Sequence, residues 1–378
     1  MTSKSWLLMS GLMASSLLAP TPATAQTWSQ LVTSGAPNST GFKTTNYDSA
    51  NNRLIVCLPE GSISAASQVW VLTNANGLGG TPTWTQLQPT GTAPQSSGLS
   101  TAVYDAPANQ LIWYGGCGGS CSPALAGVFV LTNANGLGGT PVWSQSSPTS
   151  SIARDNQSAV YDPATNSMIT FGGSLAFFGT DLNDVHVLSP ANGSSPTWTT
   201  LSPSGSLPSV RESASAVYDT SNNRMIVFGG WDSISTCCPY NILPYNDVWV
   251  LSNANGHGGT PAWTQLQPQG NPPAPRGEHS AVYDRAGNNM FVFGGLSYSN
   301  QTQSYTALGD LWRLSNANGL GTTTPTWTQI GQLGTPPGAN ADQGAAFDRV
   351  NRRMISYGGE DRNLAIHFLT FILDLKQH

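Results

Sequence analysis

The stretch Pro275-Arg276-Gly277-Glu278-His279-Ser280-Ala281-Val282-Tyr283-Asp284 is followed by Met290-Phe291-Val292-Phe293-Gly294-Gly295, Asp310-Leu311-Trp312-Arg313-Leu314 and Pro325-Thr326-Trp327-Thr328-Gln329. It is the most complete copy of a pattern that returns six times along the chain. Each piece is short and alternates with the period of a strand, and Gly, Asn and Pro separate the pieces. The aromatic-Asp step marks every copy: Tyr47-Asp48, Tyr104-Asp105, Tyr161-Asp162, Tyr218-Asp219, Tyr283-Asp284 and Phe347-Asp348, about 55 to 65 residues apart. A turn rich in Asn, Pro or Ala follows each step, and Asx-turn chemistry accounts for the Asp. Repeats of this length point to propellers or arrays.

Diglycines close the second strand at Gly115-Gly116, Gly172-Gly173, Gly229-Gly230, Gly294-Gly295 and Gly358-Gly359, where the chain must bend sharply beside another backbone. The first copy departs from this with Leu58-Pro59, so its loop is expected to take a different path. The third strand recurs as Val69-Trp70-Val71-Leu72, Val128-Phe129-Val130-Leu131, Val185-His186-Val187-Leu188 and Val248-Trp249-Val250-Leu251. An Asn-Ala-Asn-Gly turn, as at Asn74 to Gly77, then leads to a fourth strand opened by Trp84, Trp143, Trp198, Trp263 or Trp327. The last copy, from Phe347, reaches only three strands with Phe368 to Leu375, and the unit Trp28-Ser29-Gln30-Leu31 supplies the missing fourth. Such a join removes an open sheet edge.

Composition agrees with an all-β chain. Of the 378 residues only 9% are charged, while 41 Gly and 26 Pro supply turns and 34 aromatics supply a core. No three-residue Gly period suggests collagen, and 39% apolar content argues against disorder. Lys4, the apolar run Trp6 to Ala19 and Ala23-Thr24-Ala25 read as an export signal over residues 1–25, leaving 26–378 as one domain in a secreted or periplasmic protein. Loss of the leader takes Lys4 with it and makes the net charge of −5 one unit more negative. Mild acidity without a basic run argues against a nucleic-acid partner, and no later apolar stretch predicts membrane insertion.

The motifs Pro-x-x-Arg-x-x-His-Ser-x-x-x-Tyr-Asp, Met-x-Val-Phe-Gly-Gly, Asp-Val-Trp-Val-Leu and Trp-Thr-Gln-Leu resemble kelch repeats across residues 26 to 378. The resemblance implies a kelch-type β-propeller of four-stranded antiparallel blades, and the repeats of this chain number six. Galactose oxidase contains blades of this type, but its copper chemistry also uses a further C-terminal domain. This chain's last blade runs to its C-terminus, so oxidase activity is not expected.

Residues present in every copy serve the blade, whereas residues confined to one or a few are candidates for a site. Eight residues before the turn Asp stand Thr40, Ser97, Arg154, Arg211, Arg276 and Asn340, on the face shared with the second-to-third-strand loops. Asp155, Glu212, Glu278, His279 and Asp342 follow within three positions, and Lys43 enters from the first blade. One reading has the three arginines as bidentate donors to a ligand. The other makes them scaffold paired with neighbouring acids. Trp231, Tyr240 and Tyr245 in the longest loop, with Phe177, Phe178, Tyr298 and Tyr305, add aromatic faces suited to a sugar ring, or else pack a core of their own.

No close-spaced metal pair, phosphate loop or nucleophile elbow appears, so neither metal nor cofactor is expected, and His186 reads as a packing residue. Cys57 aligns with Phe171, Phe228 and Phe293 and is expected as a buried free thiol, with Cys117, Cys121, Cys237 and Cys238 in local bridges. The sequence thus predicts a monomeric binding propeller for a carbohydrate or peptide. The alternatives are a sugar-active enzyme resembling the exported kelch propeller N-acetylneuraminate epimerase, whose catalytic residues do not map here by motif, and a structural or adhesive surface protein.

Overall fold

The computed structural model describes residues 25–37, 44–58, 67–95, 98–118, 123–176, 179–234, 241–361 and 366–375. Residues 1–24 of the expected leader, Thr40, Lys43, Ser97, Cys121, Phe177, Phe178, Cys237, Cys238 and Tyr240 lie outside them. Every regular element among the described residues is a strand, and no helix is long and apolar enough to cross a membrane.

Six sheets of antiparallel strands result, and those of the second and last blades add a short parallel edge, Thr90–Gly91 and Gln332–Gly334. The first blade is Thr44–Asp48, Arg53–Leu58, Gln68–Thr73 and Trp84–Gln86. The fourth blade, Ser215–Asp219, Arg224–Phe228, Val248–Ser252 and Ala262–Leu266, shows the same order. The innermost strands, which carry the aromatic-Asp steps, touch one another in a closed ring of six. In the last blade Gln26–Leu31 pairs antiparallel with Ile366–Asp374. Its register sets Trp28 opposite Leu373, as Trp263 stands opposite Leu251 and Trp327 opposite Leu314.

The six hydrophobic cores lie between blades. Phe171 of the third blade meets Trp263 of the fourth at 5.1 Å, Phe228 meets Trp327 at 5.0 Å, and Phe293 meets Trp28 at 5.1 Å. Tyr114 meets Trp198 at 4.7 Å, and Tyr357 meets Trp84 at 4.8 Å. Such aromatic pairs contribute about 0.5–1.5 kcal/mol beyond the area they bury. Only the contact between the first and second blades differs: Cys57 stands in the aromatic's place beside Trp143. It is a free buried cysteine, and burial pushes its thiol up to about 12. Cys117 is disulfide-bonded.

One end of the ring is tied by a repeated polar clasp. Turn Asp carboxylates accept backbone N–H groups two or three residues on, as Asp48 does from Ala50 and Asn51 at 3.1 and 3.3 Å. Their second oxygens accept the amide of the second Asn in the next blade's Asn-Ala-Asn-Gly turn: Asn135 to Asp48, Asn255 to Asp162 and Asn318 to Asp219, at 2.7 to 2.8 Å. The last blade closes through the N-terminal strand and has no such turn. There Arg352 takes the place of the Asn and reaches Asp284 at 2.7 Å.

Trp28 is 1% exposed, and its indole N–H donates to Gln332 Oε1 at 2.7 Å. Trp28→Ala should therefore cost roughly 3–5 kcal/mol, the range for emptying a buried aromatic site. Deleting residues 26–34 should lower the melting temperature further by exposing the edge of Ile366–Asp374. Calorimetry on both variants checks this, and a deletion that melts like the parent would exclude the N-terminal strand from the ring.

Candidate functional site

The end opposite the Asn-Asp clasps is where the links between blades cross the second-to-third-strand loops. Each link runs antiparallel past the residue after a diglycine, in the pairs Asp155–Ser174, Glu212–Trp231, Gly277–Leu296 and Ala341–Glu360. The crossing is tight: a Cβ on Gly277 would run into the Trp231 indole, so the fifth blade carries glycine where the third and fourth carry Asp155 and Glu212.

The arginines belong to the scaffold. Arg211 is 0% exposed; its Nε donates to Ser209 O at 3.0 Å, Nη1 to Gly229 O at 2.9 Å, and Nη1 and Nη2 to Asp247 at 2.6 and 2.9 Å. Arg276 repeats this set with Ala274 O, Gly294 O and Asp310. Arg154 donates to Asp184 at 2.7 Å. The arc of guanidinium groups expected at a ligand is thus consumed internally. Its partners are aspartates before the third strand, not the acids beside each Arg in sequence. Burial raises those aspartate carboxyls, but the hydrogen bonds and charge of the partner, Arg or His, outweigh it and hold Asp184, Asp247 and Asp310 below the usual range. Trp249 and Trp312 indoles add a bond to Asp247 and Asp310, and His186 Nε2 takes that place on Asp184 at 2.7 Å.

The aromatic candidates divide. Trp231 is 3% exposed and donates to Glu212 Oε1 at 3.2 Å, so it offers no open face. Half-buried Tyr245 lies over the Arg211 guanidinium at 4.3 Å. His279 is buried and bonded through Nε2 to Ser215 Oγ at 2.8 Å; burial and Arg276 push its pKa down to about 3, so it is neutral. Tyr305 is exposed, 4.8 Å from Tyr298, on the hairpin of Leu296–Ser299 and Ser304–Ala307. That hairpin joins the neighbouring one, Trp231–Ile234 with Asn241–Pro244, through bonds between Asn300 and the Ile242 backbone. Together they form a wall over the fourth and fifth blades.

The acids gather at the channel. Asp155 is 0% exposed with neither carboxylate oxygen hydrogen-bonded; burial, then the Glu212 charge, raise it to about 7 against Arg154. Asp181 accepts the Ser233 N–H at 2.6 Å and rises to about 8 through burial and Glu212. Glu212 accepts from Asn156 Nδ2 at 2.9 Å and Ser233 Oγ at 2.7 Å. Half-buried Glu278 is raised by burial and by Asp342, Glu360 and Glu212. Carboxylate oxygens of Glu278, Asp342 and Glu360 all lie within 4.8 Å of one another.

Asp181 and Glu360 escaped sequence reasoning. For Glu360 the signal was its place directly after a diglycine, which is the position that crosses a link. Asp181 faces Ser174 at the place that Ala124, Pro244 and Ala307 hold in other blades, so an acid in one copy alone was its signal.

A backbone hoop positions these groups. Leu99, Asn156, Ser213, Glu278 and Asp342 share left-handed φ values of 50 to 58°. Four of them donate their N–H to the carbonyl of the counterpart one blade back: Asn156 to Leu99, Ser213 to Asn156, Glu278 to Ser213 and Asp342 to Glu278, at 2.9 to 3.1 Å. These residues and the ones after them line a cavity of about 210 Å³. Two further cavities, of about 360 and 380 Å³, open in the second and sixth blades around Gly115 and Gly127, and around Asn340 and Leu369.

The model of the KLHDC2/KLHL20/DRC7 Kelch-repeats domain matches residues 56–257 and, in an overlapping register, 126–314. The chain belongs to the kelch-repeat propeller family. Kelch propellers generally mediate protein interactions. In this one the Tyr-Asp, diglycine, Arg and Trp positions are all spent on the ring, and the acids are what remains at the mouth.

Removing one partner of a buried ion pair leaves the other charge uncompensated. Arg211→Ala and Arg276→Ala should each cost roughly 2–4 kcal/mol, reduced because Asp247 and Asp310 remain 22% and 23% exposed. Denaturant titration checks this, and a loss below about 0.5 kcal/mol would contradict a scaffold role.

For Asp155 and Asp181 the folded state keeps a proton that the unfolded chain releases near the ordinary 3.8. Their contribution to stability is therefore full at acid pH and lost as pH rises through about 7 and about 8. The lowered Asp184, Asp247 and Asp310 act oppositely, stabilising above their unfolded values and losing that effect on acidification. The melting temperature should fall between pH 5 and 8, and Asp155→Asn with Asp181→Asn should flatten the fall. An unchanged slope in the double variant would refute it.

Proposed function

We propose that this kelch propeller is a non-catalytic binding protein, exported after loss of its leader, that takes a protein or peptide segment bearing a cationic group at its acid-lined loop face. One observation carries the reading. Carboxylates from four consecutive blades, Asp155 and Asp181, Glu212, Glu278, and Asp342 with Glu360, gather around one side of the channel, while the three nearby arginines are turned into pairs with Asp184, Asp247 and Asp310. A low-dielectric concavity lined by acids favours ligands of the opposite charge, which draw the raised carboxyls into their ionised form. The wall of two hairpins, carrying Asp232 and Tyr305, supplies the flank against which an extended segment lies.

Asp155 is the most desolvated carboxyl but is 0% exposed, which withholds it from a substrate and speaks against acid-base catalysis there. Carbohydrate is the second reading, supported by Tyr305, which is 45% exposed.

A peptide array graded in Lys and Arg content, read in EDTA, should give binding that weakens as salt rises. Asp232→Asn with Glu278→Gln should weaken it roughly tenfold or more. Binding indifferent to both salt and these substitutions would overturn the proposal. A glycan-array signal that disappears in Tyr305→Ala would move the assignment to carbohydrate.

A further inference from the structure

We infer that the cavity of about 360 Å³ in the second blade is a binding site for an uncharged aromatic ring, separate from the acid-lined channel. It shares no lining residue with the cavity at the channel mouth. Its volume falls within the roughly 300–1,000 Å³ of small-molecule pockets.

The fourth blade shows what the same place holds elsewhere in the ring. Around the Arg211 guanidinium stand Ser209, Gly229, Tyr245 and Asp247, and the Trp249 indole is bonded to Asp247. The counterparts of these five residues in the second blade are Gln95, Gly115, Leu125, Gly127 and Phe129, and all five line the cavity. The backbone frame is common to both blades. Gly115 N–H donates to Gly127 O at 3.1 Å and Leu125 N–H to Gly116 O at 2.7 Å, as Gly229 does to Asp247 O at 3.3 Å and Tyr245 to Gly230 O at 2.8 Å. Gly115 and Gly229 also share left-handed φ values of 71° and 66°. The contents of the frame, by contrast, change together: Ser97 replaces the Arg, Gly127 the Asp, and Phe129 the Trp that bonds the Asp. Loss of the Arg alone would strand a carboxylate. Loss of all three at once leaves a space with no charge to balance.

The chemistry of the walls selects the occupant. Among the described residues no charged side chain lines the cavity, so a cation bound there would be desolvated without a partner. Leu125 stands where the Tyr245 ring lies over Arg211 at 4.3 Å. Trp113 is paired with Phe129, whereas Val56, Thr170, Val227, Val292 and Ser356 hold its position in the other blades. The place of a planar guanidinium, bounded here by two aromatic residues and a leucine, fits a flat ring packed offset or edge-on. Thr92, Gln95 and Gln145 are exposed beside it and leave room for one hydrogen-bonding substituent on that ring.

Benzamide and benzamidinium share size and shape but differ in charge. 4-Fluorobenzamide, followed by fluorine NMR on the full chain, should bind one site at millimolar concentration and be displaced by benzamide, with benzamidinium needing roughly tenfold more. This preference is opposite to that of the channel acids, so the two sites are told apart on the parent chain alone. Leu125→Tyr with Phe129→Trp, the residues of the fourth blade, fills the cavity and should weaken 4-fluorobenzamide binding roughly tenfold or more. Without ligand the double variant should melt no lower than the parent. Leu369→Asn, at the sixth-blade cavity, should keep the full response. An acetylated Gly-Gly-Phe-Gly-Gly amide identifies the source of the ring: displacement assigns the site to a partner's side chain, and no displacement to a free small molecule. No binding to the parent at millimolar concentration, equal displacement by benzamidinium, or undiminished binding in the double variant would overturn the assignment.

Discussion

The buried guanidinium–carboxylate pair between a link and the third strand is the interaction on which the loop face depends. In the fourth and fifth blades the Arg holds four positions at once: its own link, the first glycine of the diglycine, and both oxygens of Asp247 or Asp310. A planar fork with fixed donors suits this task as an ammonium does not. Because the link is pinned at that residue, the next three positions are delivered to the channel in a fixed order. The first crosses the neighbouring loop, the second joins the hoop, and the third lines the cavity.

That delivery explains why the mouth is acidic although Arg154 and Arg211 are each next to an acid in the chain. Arg154 and Asp155, or Arg211 and Glu212, point to opposite sides of an extended link, as successive residues of a strand do. The Arg goes to the blade and the acid to the channel. Low exposure then raises Asp155 and Glu278, since little water is left to solvate their charges and each lies near another carboxylate. At the far end of the ring, the Asp carboxylates accept several hydrogen bonds from turns and from the next blade's Asn, four in the case of Asp48. Acids at one end are therefore bonded by the repeat itself, whereas at the other Asp155 has neither carboxylate oxygen hydrogen-bonded.

Whatever recurs in each blade was legible from the sequence. The six-fold count, the four-strand blade and the buried place of Cys57, aligned with Phe171, Phe228 and Phe293, follow from periodicity, because repeating residues have repeating environments. Direction was not legible. A single-copy aromatic such as Trp231 reads as an exposed face or as part of a loop core, and only the contacts decide: the indole closes over Gly277 and donates to Glu212. Arg211 reads equally as ligand donor or scaffold, and only the distance to Asp247, 36 residues on, decides between them. Glu278, Asp342 and Glu360 carry no local spacing that marks a cluster, since their proximity is made by the seam between two blades.

The blades that lack the Arg–Asp pair show what it displaces. The second blade has Ser97 and Gly127 at the two positions, and the sixth has Asn340 and Leu369. Cavities of about 360 and 380 Å³ open at these places, lined by the counterparts of the groups that surround Arg211 in the fourth blade. The pair is therefore a plug as well as a pin, and the ring closes without it where the other inter-blade cores are intact. It follows that variation at the Arg position alters the packing of one blade, whereas variation one to three residues later, or directly after the diglycine, alters the channel. Those later positions are where the repeat imposes backbone shape but leaves the side chain unassigned.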